Sequence, residues 1–210
     1  MTRKLLIPKG ELDFKFKKHL FHPLNRIESF NKFEDITVDY IDLKFKEHLK
    51  NCHVIDLGGA SGVAYLHFGK PKDVIWEVLE LKEVVDKYSK GIKNDNIIFN
   101  TIQDKIILKK DKLALYSCGG IQYIEKPLDF LDKIKDIVDV IYIKNLTIGN
   151  RTFLAEQENV GPNWILGRKD IEKMLENKFN LEIIDNDNHG WDNETKETDL
   201  KGCRILAIKK

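Results

Sequence analysis

The run Cys52-His53-Val54-Ile55-Asp56-Leu57-Gly58-Gly59-Ala60-Ser61-Gly62 constrains this chain more than any other stretch. It reads as a short apolar strand entering a glycine-rich turn, with an acid just before the turn. Glycine lets a backbone turn sharply and lets a ligand approach the main chain without meeting a Cβ. A strand, a glycine turn and a helix in succession are a common way to build a cofactor site. Glycine turns also end many ordinary buried strands, so the rest of the chain has to decide between the two.

Hydrophobic periodicity supplies the surroundings. Ile41, Phe45 and Leu49 recur every fourth residue and predict an amphipathic helix over about 36–50. The opening strand follows at 52–57, then a short helix over 63–68 that Pro71 ends. A second apolar strand covers 74–79 and closes on Glu80. Leu81, Val84, Val85 and Tyr88 form a helical stripe over 81–90 that Gly91 terminates. Strands are predicted at 97–99, 113–116 and 140–143, with a helix over 127–138 whose Leu128, Leu131, Ile134 and Ile137 face inward. Ile171, Met174, Leu175 and Phe179 mark a last helix, followed by strands at 181–184 and 204–208. Alternating strands and helices predict an α/β fold, a mostly parallel sheet with helices on both faces. The last two strands have no helix between them and should pair antiparallel.

Composition narrows the function classes. A length of 210 residues suits one domain, here 36–210, preceded by an arm over 1–35 whose phenylalanines pack onto it. The arm is locally basic, but formal net charge is +1, which argues against nucleic acid or a membrane surface as the main partner. No apolar run approaches a bilayer span, and no signal-peptide core opens the sequence. Cys52, Cys118 and Cys203 are isolated and odd in number, a pattern that fits a reducing cytoplasm and no disulfide framework. The six histidines have no ligand-spaced partners, so no metal site is expected.

Ligands of open parallel sheets bind beyond the carboxyl ends of the strands, where the strand order reverses. The residues there are Gly58, Gly59 and Gly62 after the first strand, and Glu80 with Leu81 after the second. Gln103 and Asp104 follow the third, and Ser117, Cys118, Gly119, Gly120, Gln122 and Tyr123 follow the fourth. Glu80 lies 24 positions beyond Asp56, which suits an acid accepting from ribose hydroxyls. The competing reading is a solvated acid favoured by the helix start. A dinucleotide fingerprint beginning at Gly58 would need glycines where Ala60 and Val63 stand, which disfavours NAD and FAD. There is no P-loop run.

Seven strands, with the last two in a hairpin, resemble the class I methyltransferase fold, a Rossmann-like sheet with an antiparallel last strand. Asp56-Leu57-Gly58-Gly59-Ala60-Ser61-Gly62 keeps the acid and the outer glycines of the D/E-x-G-x-G-x-G motif of those enzymes, with Ala60 replacing the middle glycine. Trp76-Glu77-Val78-Leu79-Glu80, Ile121-Gln122-Tyr123-Ile124-Glu125-Lys126-Pro127 and Asn163-Trp164-Ile165 follow in order. Together with the Asp56 motif they resemble a small methyltransferase family of bacterial surface-polysaccharide (O-antigen and capsule) gene clusters, over residues 52 to 208. Leu81-Lys82 stands where Gln-Pro is common in that family.

The resemblance implies S-adenosylmethionine as cofactor and S-adenosylhomocysteine as product. It also implies a sugar or sugar-linked glycan precursor as acceptor. Asp56, Gly58, Gly59, Gly62, Glu80, Leu81, Gln103, Asp104, Ser117 and the backbone of Cys118 would hold the cofactor. Displacement at a sulfonium methyl mainly needs alignment and desolvation, and a hydroxyl acceptor also needs a base. Two long loops, 144–167 and 185–201, are expected as lids. Tyr123, His189 and Glu156 are the catalytic candidates, and Gln122, Asn145, Trp164 and Trp191 the acceptor-binding ones. Each has a plainer alternative: core packing for Tyr123, an ordinary loop histidine for His189, an anchor for Trp164. Two rival functions stand beside this one, a catalytically inactive methyltransferase-fold binding protein in a glycan biosynthesis complex and an NAD-dependent oxidoreductase. A monomer and a homodimer are both compatible with the sequence.

Overall fold

The computed structural model describes residues 5–6, 39–90, 94–102, 106, 108–157, 161–186 and 199–210. In chain order, β1 (Leu5–Leu6) precedes α1 (Tyr40–Glu47), β2 (Cys52–Leu57), α2 (Val63–His67) and β3 (Ile75–Glu80). Next come α3 (Lys82–Tyr88), β4 (Ile97–Thr101), β5 (Lys112–Cys118), a single 3₁₀ turn (Ile121–Tyr123) and α4 (Pro127–Ile134). The chain continues through β6 (Val140–Gly149), β7 (Phe153–Gln157), β8 (Gly161–Gly167), α5 (Arg168–Leu175), β9 (Phe179–Asn186) and β10 (Lys201–Lys209). The described chain forms two compact units, and β6 runs from one into the other.

The first unit covers 22–118 and 137–142. Its strand order is β4-β3-β2-β5-β6, with β2 parallel to both β3 and β5, and β3 parallel to β4. Every residue of β2 is buried, as a central parallel strand covered on both faces requires. After β4 the chain crosses to the far side of β2, so the order reverses between β2 and β5. α1 begins at Asp39, whose carboxylate accepts from the Asp42 amide at 3.0 Å and caps the helix. Ile41, Phe45 and Leu49 are buried, as their spacing predicts. Phe45 meets Phe68, Tyr116 and Tyr142, and Phe68 and Tyr116 both meet Trp76. Such aromatic pairs add to the area they bury. Asp42, buried beside them, accepts from the Tyr142 hydroxyl at 2.7 Å and pairs with His67 at 3.1 Å.

The second unit covers 1–21, 119–136 and 143–210. β9 and β10 form the expected antiparallel pair, from Gly202 opposite Asn186 to Lys209 opposite Phe179, and β10 also pairs with β6. β7 and β8 are antiparallel, and β8 joins the end of β6 in parallel through Ile148–Leu166 and Gly149–Gly167. Of the arm, Leu5 and Leu6 pair antiparallel with Gln157 and Glu156, and the rest lies outside the described residues.

Several expectations need correction. Loop 144–167 is the second half of β6 followed by the β7–β8 pair, which together with β1 adds three strands, among the described residues, to the seven expected. Ile137 lies past the end of α4 and is exposed, not inward. Leu81 caps α3 and is exposed, and Tyr88 is the buried member of that stripe. Phe179 begins β9 and does not extend α5.

Candidate functional site

The carboxyl ends of β2, β3 and β5 meet at the reversal of strand order, the usual place for a ligand in an open α/β sheet. Gly58 and Gly62 have φ of +71° and +73°, the left-handed region that glycine enters without a Cβ penalty. Ala60 sits between them at φ +49°, so the alanine adopts the left-handed conformation that favours glycine. The irregular residue bends the turn at a cost in strain.

Glu80 ends β3 and faces this turn. Its Oε1 accepts from the Ala60 amide at 3.1 Å and its Oε2 from the Leu81 amide at 2.9 Å. Burial pushes its carboxyl up, and the two amide bonds only partly offset the shift. A solvated helix-start acid would be neither buried nor bonded to the glycine turn. A carboxylate oxygen has two lone pairs, so each Glu80 oxygen can accept once more. Beside Glu80 are two exposed apolar side chains, Leu81 at 47% and Ile102 at 41% exposure. The Ile102 amide donates to the Glu80 carbonyl at 3.1 Å. Ile102 escaped the sequence reading, though an apolar residue just past a strand end was the available signal.

Asp56 is placed differently from Glu80. It is fully buried beneath the turn, and its Oδ2 accepts from Trp76 Nε1 at 2.7 Å. A Cβ on Gly59 would lie 2.4 Å from the Asp56 carboxyl carbon, so position 59 has room for glycine alone. Ser117 is also buried, and its Oγ donates to the Leu57 carbonyl at 2.9 Å. It ties β5 to β2 where the strand order reverses. Cys118, next in the chain, is exposed at the end of β5. The structure therefore gathers Asp56, Gly58, Gly59, Gly62, Glu80, Leu81, Ser117 and Cys118 at one edge. Gln103 and Asp104 lie outside the described residues.

The acceptor candidates fall in the second unit. Asn145 is exposed, with φ +51° in the middle of β6, a left-handed residue interrupting a strand. Around it the Gly119 amide donates to the Lys144 carbonyl at 2.9 Å. The Thr147 amide donates to Gln122 Oε1 at 3.4 Å. Gln122 is buried and its carbonyl fastens the 3₁₀ turn to β6. Tyr123, half-buried, ends that turn. Trp164 on β8 donates its indole N–H to the Glu125 carbonyl at 3.1 Å. Glu156 is on β7, with its side chain outside the described residues, as are His189 and Trp191. Among the described residues no cluster of His, Cys, Asp or Glu could hold a metal ion, and no helix is long and apolar enough to cross a membrane.

No family model matches the chain, and no curated protein does. Solved structures do. The N-terminal domain of EvdMO1, crystallised in the presence of SAH and D-fucose, is 13% identical with a TM-score of 0.57 over 92% of this chain and 100% of that one. An S-adenosylmethionine-dependent methyltransferase from Clostridium acetobutylicum is 15% identical with a TM-score of 0.52, over 83% and 93%. The [4+2]-cyclase SpnF is 11% identical with a TM-score of 0.55, over 79% and 80%. A fold that serves a cyclase as well leaves the chemistry to be argued from the site. What these likenesses establish is the fold, and it is the Rossmann-like class I methyltransferase fold that the strand order of this chain also displays.

Proposed function

We propose that this chain is an S-adenosylmethionine-dependent methyltransferase whose acceptor is a hydroxyl of a sugar or sugar-linked precursor of a surface glycan. The observation that carries the cofactor reading is Glu80, a buried carboxylate fixed by the Ala60 and Leu81 amides at the strand-order reversal. Fixed that way, its remaining lone pairs suit the two hydroxyls of a ribose. Leu81 and Ile102 beside it offer apolar surface to a flat base. The turn fits the amino-acid end of the ligand, because Gly59 lets it approach over Asp56 and one Asp56 oxygen has no partner among the described residues.

S-adenosylmethionine, when bound, supplies a methyl group on a positively charged sulfonium leaving group. The residues of this chain then have to bind, orient and keep water out. Glu80 sets the position of the ribose, and the glycine turn sets the approach of the charged end. Tyr123, on the turn that Gln122 fastens to β6, is our candidate to orient the acceptor hydroxyl. The sugar acceptor is supported by the motif resemblance and by EvdMO1, a structural neighbour whose N-terminal domain was crystallised in the presence of D-fucose.

Methyl-labelled S-adenosylmethionine incubated with free hexoses and nucleotide sugars tests the reading. The expected result is label in a sugar, with one S-adenosylhomocysteine formed per methyl transferred. Binding of the cofactor without transfer to any sugar would remove the acceptor class. Glu80→Ala should weaken cofactor binding about 10- to 100-fold, the scale of about 1.5–3 kcal/mol for hydrogen bonds to a charged group. Unchanged affinity would remove the ribose assignment.

A further inference from the structure

The glycine turn covers an acid whose charge the cofactor reading does not set. Asp56 is fully buried, Trp76 satisfies its Oδ2, and its Oδ1 has no hydrogen-bond partner among the described residues. Both oxygens lie within 2.7 Å of the point where a Cβ on Gly59 would sit, so the carboxyl presses against the underside of the turn. An ionised carboxylate in such a place is costly unless an opposite charge pairs with it.

Among the described residues the surroundings supply no such charge. From β3 the group facing Asp56 is a second acid, Glu80, and from β5 it is Tyr116. α2 contributes Tyr65, packed on Trp76 with ring centroids 6.2 Å apart. Among the described residues the charge that acts on Asp56 is that of Glu80, and it is a like charge.

Resting on the cofactor reading, we propose that Asp56 holds a proton in the ligand-free protein and releases it when a cationic ligand seats on the turn. The O–H bond at Asp56 breaks, the proton passes to the buffer, and the ligand's positive charge offsets the carboxylate left behind, with only Gly59 between them. Gly59 is thereby explained twice, as the residue that gives the carboxyl room and as the thinnest wall between it and a bound charge. Burial pushes Asp56 up, Trp76 pulls it down and the Glu80 charge pushes it up again, to about 7. At neutral pH about half the molecules would carry the proton.

Calorimetric titration of the protein with S-adenosylmethionine at pH 7, in two buffers of different ionisation enthalpy, counts protons released per ligand bound. The expected result is about half a proton at pH 7, with affinity rising about tenfold from pH 6 to pH 8. Adenosine, the uncharged part of the same ligand, should release none, and Asp56→Asn should abolish the release. Infrared difference spectra of the unaltered protein give a second reading that needs no variant. Ligand addition should remove the carbonyl stretch of a protonated carboxylic acid. Binding of S-adenosylmethionine with no proton released and no such band lost would overturn the proposal and leave the cofactor reading intact. Release that persists in Asp56→Asn, or that adenosine also causes, would overturn it too by assigning the proton elsewhere. Failure of S-adenosylmethionine to bind would overturn both.

Discussion

Ala60 marks the limit of what single residues disclose. The sequence shows an alanine where the methyltransferase motif has glycine, which leaves the backbone path undetermined. The structure answers with φ +49°, the left-handed conformation at a cost of roughly 1–2 kcal/mol for a residue with a Cβ. Ala60→Gly relieves that strain and loses part of the gain to the entropy of an unfolded glycine. A net stabilisation of about 1 kcal/mol or less is expected in denaturant unfolding. Gly59→Ala is the opposite case, since its Cβ would collide with the Asp56 carboxyl. A loss of about 1–3 kcal/mol is expected, with weakened cofactor binding. Asp56 itself makes stability depend on pH. Its ordinary value of 3.8 applies to the unfolded chain and about 7 to the folded one. Between them the folded state keeps a proton that the unfolded state has lost, so its contribution falls as pH rises from about 4 to 7 and is flat above that. Unfolding free energies should therefore move in favour of Asp56→Asn over this window and then stay level. A difference between the two proteins that does not vary with pH would show that Asp56 titrates normally. That Asp56 would precede the turn was legible in the sequence. That it lies under the turn, bonded to Trp76 twenty residues on, was not, because a strand's facing is fixed only by its neighbours.

At the scale of elements, the legible strands are the apolar runs of the parallel sheet, clearest in β2 and β5, whose burial leaves little choice. β2 is read to the residue, and β3, β4 and β5 to within three residues at each end. β7 and β8 were missed. Phe153-Leu154-Ala155-Glu156-Gln157 and Gly161-Pro162-Asn163-Trp164 mix polar and apolar residues and carry a Gly-Pro pair that reads as a loop. Pairing between the two strands, not propensity, makes them a sheet. Long structureless loops are uncommon in compact folds, and the 24 residues assigned to one at 144–167 should have raised that doubt. The structure also shows how strands are fastened by side chains. His53 on β2 bonds Glu77 on β3 at 2.7 Å, and Asn100 on β4 donates to the other Glu77 oxygen at 2.6 Å. The Lys109 amide donates to His53 Nδ1, which leaves Nε2 to donate to the carboxylate. His53→Ala strands Glu77 in the interior and should cost about 3–5 kcal/mol in denaturant unfolding. A loss under about 1 kcal/mol would show the pair to be dispensable.

For the whole molecule, the legible part was the alternation of strands and helices and the antiparallel end, and these identify the class I methyltransferase fold. The surroundings of Gln122 and Trp164 were far less legible. Gln122 and Trp164 carry the right residue types, yet their hydrogen bonds hold backbone at Thr147 and Glu125. A sequence motif records that a residue is needed and not which partner it meets. The strand-end candidates do converge, because strand ends in a parallel sheet fall at one edge whatever the loops do. The central claim is that this edge accepts S-adenosylmethionine and not a dinucleotide. Side-by-side calorimetric titrations with S-adenosylhomocysteine and NAD test it most directly. Saturable one-to-one binding of S-adenosylhomocysteine, with no heat from NAD, is the predicted result. Saturable binding of NAD with no response to S-adenosylhomocysteine would contradict the account.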